Sequence, residues 1–161
     1  MVEFTPVSVS DNASSVAAKN ARELLDSKGY SPFSRKFFHT PSAINRKVVE
    51  AAENEFQEAF KVTRAAQFRD ATDIAVSGSF YFNYALAVGE AVPSQIKYDY
   101  IDPATPDGRS RMQRVINRRD KDCIVINDGS TPESVEERTR TDAFIRDSLE
   151  LLLPVKSKFE L

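Results

Sequence analysis

Cysteine, histidine and glycine are scarce in this sequence, and each scarcity excludes a class of site. The 161 residues include one cysteine, one histidine and five glycines. A single cysteine excludes an internal disulfide framework and a cysteine-rich zinc site. A single histidine excludes a metal site built from two or three imidazoles, and five scattered glycines leave no glycine-rich phosphate loop. Any chemistry must therefore come from other side chains.

An excess of positive or negative charge is lacking as well. There are 22 basic and 24 acidic residues, so the net charge is −2, and no positive field favours nucleic acid or an anionic membrane. The first residues lack the basic and apolar segments of a secretory signal, and no apolar run reaches the ~20 residues of a membrane-spanning helix. We expect no nucleic-acid partner, no transmembrane segment and a cytoplasmic location, with peripheral attachment to a membrane left open.

Apolar periodicity predicts a helix-dominated α/β fold in a single domain spanning 1–161, a length that suits one domain. Helices are expected at about 13–27, 43–59, 70–90, 110–118 and 131–152. Two or three short strands are expected, two of them at 96–101 and 123–126. Asp11 or Asn12 is a plausible cap for the first helix, and 106–108 has the composition of a turn.

The only histidine lies in the string Phe37-Phe38-His39-Thr40-Pro41, outside any apolar stripe. An imidazole in a loop can act as a general base or acid near neutral pH. The more ordinary interpretation of its spacing is an exposed loop histidine without a role.

Arg69 precedes the third predicted helix, whose first turn would hold Asp70 and Asp73. An arginine beside a helix N-terminus suits a bound phosphate, because its guanidinium and the free N–H groups both attract an anion. Capping by the two acids, with Arg69 in a surface ion pair, is the more ordinary alternative.

Asn127 and Asp128 follow the predicted strand 123–126. Carboxylates where a buried strand ends are common in sites for a divalent cation and a nucleotide diphosphate. A plain turn is the alternative, because Asn-Asp-Gly is itself a turn sequence. Cys123 is expected to be a packed small side chain and not a nucleophile.

A group of five arginines could meet a phosphorylated ligand or a nucleic-acid backbone: Arg109, Arg111, Arg114, Arg118 and Arg119. Acidic residues lie nearby in the sequence, so a solvated face with ion pairs is the favoured interpretation.

Taken in order, several motifs resemble the conserved regions of the Stealth family. His39-Thr40-Pro41, Phe68-Arg69 with Asp73, and Ala-Val-Gly-Glu-Ala-Val-Pro at 87–93 resemble its third region, over about 17–93. The strand ending in Asn127-Asp128, and the Pro-Val-Lys-Ser-Lys-Phe-Glu string at 154–160, resemble its fourth region, over about 120–161.

The resemblance implies an enzyme that transfers a sugar-1-phosphate from a nucleotide-diphosphate sugar to a sugar hydroxyl in polysaccharide or glycan synthesis. It implies catalytic roles for His39 and Arg69. It also implies donor binding by Asp73, Asn127 and Asp128, and a divalent cation, Mg²⁺ or Mn²⁺, for which Asp128 is the candidate ligand.

The family's first two conserved regions have no counterpart here, so the chain resembles the C-terminal part of such an enzyme. The implied partners are a nucleotide-diphosphate sugar, a glycan acceptor and a chain that carries the missing N-terminal regions. The alternative is a non-catalytic module or remnant that binds such a partner chain.

Overall fold

A computed structural model describes residues 7–33, 37–127 and 134–159. It combines seven helical elements and a small parallel sheet in the described residues, the helix-dominated α/β class that the sequence predicts. The chain groups into two compact units, one from 1–38 and 42–94, the other from 39–41 and 95–161. Each unit is described by itself, and the prediction of a single domain over 1–161 stays a prediction.

The first unit begins with α1, Ala13–Asp26, at nearly the predicted bounds. The Asn12 side chain caps it by accepting a hydrogen bond from the Ser15 N–H at 2.9 Å, which satisfies one of the unpaired donors of the first turn. The next predicted helix is interrupted. It forms α2, Arg46–Glu55, and α3, Gln57–Ala65, with Phe56 between them in a non-helical conformation.

The prediction of a helix from 70 to 90 is wrong in its first half. Asp70 N–H donates to Asp73 Oδ2 at 2.9 Å, and Thr72 N–H donates to Asp70 Oδ1 at 2.8 Å. Such local side-chain hydrogen bonds compete with helix formation, which is why short acids favour turns. A short helical segment with a kink at Gly78, Val76–Phe80, and α4, Tyr81–Ala87, follow this turn.

The core of this unit is built around aromatic side chains, and α4 lies at its centre. Phe80 is 1% exposed and its ring lies 5.3 Å from that of Phe56 between centroids. Tyr84 is 4% exposed, and its hydroxyl donates to Glu55 Oε2 at 3.0 Å. The Tyr30 hydroxyl donates to the same carboxylate at 2.9 Å. One carboxylate therefore satisfies two tyrosines at the edge of the core.

Strong alkali is expected to destabilise this unit through Tyr84. Burial, with the hydrogen bond and charge of Glu55, raises the pKa of Tyr84 to about 12, above the unfolded value near 10. Its stabilising contribution is therefore complete below pH 10 and is lost as the pH rises through about 12, amounting to about 3 kcal/mol at most. The free energy of unfolding, measured with urea at pH 9 and above, should depend less on pH in Tyr84→Phe than in the parent. An equal pH dependence in the two proteins would contradict the assignment of this effect to Tyr84.

The second unit contains a strand–helix–strand motif and a final helix. Strands β1, Tyr98–Ile101, and β2, Cys123–Ile126, pair in parallel with Tyr100 opposite Val125. Helix α5, Pro106–Arg118, connects them, and α6, Val135–Leu152, follows. These elements close a small core around Ile101, Met112 and Val115. The predicted start of the last helix at 131–133 lies outside the described residues.

Residues 106–108 form the first turn of α5, so the prediction of a loop turn there is wrong. Thr105 caps the helix by accepting a hydrogen bond from the Gly108 N–H at 3.0 Å, and Pro106 occupies the first helical position. Proline suits that position because it has no N–H to leave unpaired. Among the described residues, none of the helices combines the length and apolar character needed to cross a membrane.

Candidate functional site

The only histidine belongs to the second unit, through contact with its sheet. The ring centroid of His39 lies 5.3 Å from that of Tyr100 in β1, with the planes tilted by 41°. His39 itself is exposed. An exposed imidazole against an aromatic ring is held in place on one side and open to a solvent-borne substrate on the other.

Polar residues follow the two strands just beyond Tyr100. Successive side chains of a strand point to opposite faces, so Tyr100 lies on the face opposite Ile101, which points to the core. By the parallel register, Asn127 lies opposite Asp102, just beyond the carboxyl ends of the two strands. The carboxyl ends of parallel strands are where α/β folds bind ligands. His39 therefore borders the end of the sheet where chemistry is expected.

Both polar residues at this end are held by the backbone. The Asn127 N–H donates to the Ile101 carbonyl at 2.8 Å, which extends the ladder by one residue. Asp102 Oδ1 accepts from the Ala104 N–H at 3.1 Å, which fixes the turn into α5. Asn127 is half-buried. The predicted donor residue thus stands at the end of the sheet that His39 borders.

Asp128, the candidate metal ligand, lies outside the described residues. Among those described, no group of three or more histidine, cysteine, aspartate or glutamate side chains comes together as a cation site. The described residues do not by themselves fit a divalent cation, because such ions take several oxygen ligands.

Arg69 lies in the first unit, in an exposed position after α3. No helix begins at Asp70, so the predicted phosphate site at a helix N-terminus is not formed there. The neighbouring Phe68 is 80% exposed. The guanidinium is therefore open to an incoming anion, without the helix dipole that the sequence suggested.

Asp73 is only partly satisfied. Its Oδ2 accepts from the Asp70 N–H, whereas its buried Oδ1 has no hydrogen-bond partner within the described chain. Its carbonyl oxygen accepts from Asn20 Nδ2 at 2.9 Å, which anchors the turn to α1. A buried carboxylate oxygen without a donor is a recognised sign of an absent ligand or water.

Three of the five clustered arginines are used within the second unit, but only Arg111 forms an ion pair there, so the interpretation of a solvated face with ion pairs is met by one of the three. Arg109 donates to the Pro103 carbonyl at 2.9 Å and to Thr141 Oγ1 at 3.1 Å. Arg111 pairs with Asp99, and Arg119 donates to the Leu151 carbonyl at 2.6 Å. The remaining two are exposed: Arg114 and Arg118.

The sequence reasoning missed Tyr100 and gave Asp102 no role in a site. For Tyr100 the signal was present in the alternation of β1, which puts it on the face opposite Ile101. Nothing in the pattern joins residue 39 to residue 100, because that contact is formed between segments far apart in the chain.

Comparison with known families gives a match at residues 38–86 to the Stealth protein model described as conserved region 3. This interval contains His39, Arg69 and Asp73. It also ends inside α4, so it covers most of the segment that the sequence assigned to the third region.

Curated relatives extend the similarity over nearly the whole chain. An exopolysaccharide phosphotransferase of Streptomyces coelicolor is 34% identical over 155 residues, or 96% of this chain and 28% of its own length. One from Nocardia farcinica is 39% identical over 126 residues, 77% of this chain and 25% of its own. The CpsY phosphotransferase of Mycobacterium tuberculosis is 34% identical over 147 residues, 89% and 27% respectively. The chain thus spans about a quarter of the length of these relatives.

Proposed function

We propose, from the match of residues 38–86 to conserved region 3 of the Stealth protein family, that this chain is part of an exopolysaccharide phosphotransferase. The reaction proposed is the transfer of a sugar-1-phosphate from a nucleotide-diphosphate sugar to a hydroxyl of a glycan. The exopolysaccharide phosphotransferase names of its relatives support the transferase class. The donor and acceptor come from the family resemblance.

The proposed step is a phosphoryl substitution. The acceptor hydroxyl oxygen forms a bond to the phosphorus that bears the sugar, and the bond from that phosphorus to the bridging oxygen breaks. The nucleoside monophosphate leaves with the bridging oxygen, and the acceptor proton passes to His39. Catalysis of such a transfer depends mainly on positioning and on stabilising charge on the phosphoryl oxygens.

The placement of His39 is the observation that carries this proposal. Its exposed ring lies against Tyr100 in β1, close to the end of the sheet where Asp102 and Asn127 follow the two strands. A general base must be accessible to the proton that it takes and held in a defined position, and this arrangement supplies both. Asn127 would contribute an amide for the donor at the same end of the sheet.

Arg69 would neutralise charge on the transferred phosphoryl group. Its guanidinium is exposed, and a planar fork of donors matches the oxygens of a phosphate. Asp73 would bind the donor through the oxygen that has no partner in the described chain. Mg²⁺ or Mn²⁺, with Asp128 among its ligands, would stabilise phosphate charge when bound.

The second candidate is a non-catalytic module that binds a chain with the missing regions. The observation that favours it is length, because the chain covers only 28% of the Streptomyces relative. The two candidates are separated by adding the missing part. Transfer upon addition supports the enzyme, and binding without transfer supports the module.

Sugar-phosphate transfer is expected only when this chain is joined to the remaining segments of the Streptomyces coelicolor relative. In that longer protein, Arg69→Lys should lower kcat at least tenfold, because a point charge cannot replace two parallel hydrogen bonds to a phosphoryl group. The measurement is release of nucleoside monophosphate together with labelled glycan product. Exposed Arg118→Lys is the matched control and should behave as the parent. Equal rates for the parent and Arg69→Lys would refute the role of Arg69.

A further inference from the structure

Arg22 is a buried charge for which the first unit supplies no partner. The residue is 5% exposed, between Ala21 and Leu25 of α1, which are each 0% exposed. Its Nε has no hydrogen-bond acceptor in the described part of the chain, and no carboxylate there forms an ion pair with it. Buried arginines are nearly always paired, so this residue calls for an explanation.

The buried Nε of this guanidinium has no acceptor, and that opposes folding of the chain. Burial lowers the pKa of Arg22 through the loss of water around the charge, yet arginine stays protonated in proteins. An uncompensated buried charge destabilises a protein, whereas an apolar side chain of similar size at such a site is often neutral or stabilising. Retention of the charge at this position is therefore best explained by a ligand that compensates it.

The helix that carries Arg22 is firmly attached to the rest of the unit. The Ala75 N–H donates to the Ala17 carbonyl at 3.2 Å. Asn20 Nδ2 donates to the carbonyls of Ala71 and Asp73 at 2.7 and 2.9 Å. α1 also packs against the segment Val76–Phe80. The backbone that carries Arg22 is therefore fixed before any ligand arrives.

We propose that Arg22 binds a phosphoryl group, with its guanidinium N–H groups donating to the phosphoryl oxygens. This rests on the proposed function, which brings phosphorylated sugars and nucleotides to the protein. The guanidinium fork matches phosphate geometry, and its free donors can engage more than one oxygen. A small anion can reach the guanidinium of a residue that is 5% exposed. A carboxylate of another polypeptide has less access, because the backbone attached to it would also have to fit close to the buried site.

The test measures the thermal unfolding midpoint of the 161-residue chain with inorganic phosphate or pyrophosphate, at constant ionic strength and pH. The midpoint of the parent should rise with either anion, because a ligand that binds only the folded state stabilises it. Arg22→Met should lose this response, with an apparent Kd at least tenfold weaker. Without the anion, Arg22→Met should be at least as stable as the parent.

Two further variants sharpen the result. Arg46→Met removes an exposed arginine that pairs with Glu50, and it should keep the parent's response. Arg22→Lys keeps the charge but lacks the fork, and it should show a reduced response while folding normally.

Three outcomes would overturn the proposal. The first is no rise in the parent, which would assign the charge to a carboxylate outside this chain. The second is an equal rise in the parent and Arg22→Met, and the third is a loss of stability in Arg22→Met without the anion. Failure of glycan transfer in the longer protein would count against the proposed function and would leave this binding result unchanged.

Discussion

Replacing Gly108 with alanine is expected to destabilise the second unit by about 2 kcal/mol, because α5 approaches the end of β1 closely at this residue. An added Cβ would lie 1.7 Å from the Asp102 carbonyl oxygen and 2.9 Å from Thr105 Oγ1. Alanine favours a helix over glycine by about 1 kcal/mol. Overpacking costs about 1–3 kcal/mol or more, and here the obstacle is backbone, which cannot rotate away. The steric cost therefore outweighs the gain in helix propensity.

The measurement is urea unfolding combined with hydrogen exchange at the amides of Met112 and Val115 in α5. Gly29→Ala is the matched control. A Cβ there would meet nothing within 4 Å, and only the positive φ of +82° opposes it, at a cost of about 1 kcal/mol. Equal losses of stability in Gly108→Ala and Gly29→Ala would show that the approach of α5 to Asp102 is not as close as described.

The same contact connects the fold to the candidate site. The Asp102 carbonyl accepts hydrogen bonds from the Thr105 N–H at 3.1 Å and the Thr105 hydroxyl at 2.9 Å. Displacing it would move the carboxyl end of β1, two residues after Tyr100. A glycine in the first turn of a helix is therefore required for the geometry of the sheet face that holds His39.

Local signals predicted several elements accurately. The strand Cys123–Ile126 is confirmed at its predicted bounds, because a short apolar run flanked by polar residues has few other stable placements. α1 ends within one residue of its prediction, since Asn12 supplies a side-chain cap and Gly29 follows the end. Both elements are specified by residues inside or beside them.

The errors arose where side chains compete with or override the helical pattern. Apolar spacing continues through 70–90, but the carboxylates of Asp70 and Asp73 bind nearby N–H groups and form a turn. Phe56 interrupts a second periodic stretch, at a residue whose ring is 4% exposed in the aromatic core. Periodicity records which face is apolar, and it does not record these hydrogen bonds or contacts.

The candidate site also has features that the sequence predicted and features that it did not. The types of residue were predictable, because a lone histidine, an arginine and an Asn-Asp pair stand out in the sequence and match a family pattern. The support of His39 by Tyr100 was not predictable, because it joins segments about sixty residues apart. The unpaired state of Arg22 was equally hidden, since in sequence it is one more basic residue of an amphipathic helix.

His39→Ala is expected to lower kcat for sugar-phosphate transfer by about 100- to 10,000-fold, the usual contribution of a general base. The assay uses the longer protein in which this chain is joined to the remaining segments of the Streptomyces coelicolor relative. Because His39 is exposed, the same substitution should change the free energy of unfolding by less than about 0.5 kcal/mol. Loss of activity without loss of stability would separate a catalytic role from a structural one.

Variants of Tyr100 test whether the ring contact positions the base. Tyr100→Phe keeps the ring that lies 5.3 Å from His39 and should retain near-parent kcat. Tyr100→Ala removes the ring, so the imidazole would sample more rotamers and kcat should fall, while KM changes less because donor and acceptor contacts remain. The order expected is parent and Tyr100→Phe together, Tyr100→Ala lower, and His39→Ala lowest. Near-parent turnover in His39→Ala would instead mean that the acceptor hydroxyl loses its proton to another group. His39 would then be an exposed loop residue without a catalytic role.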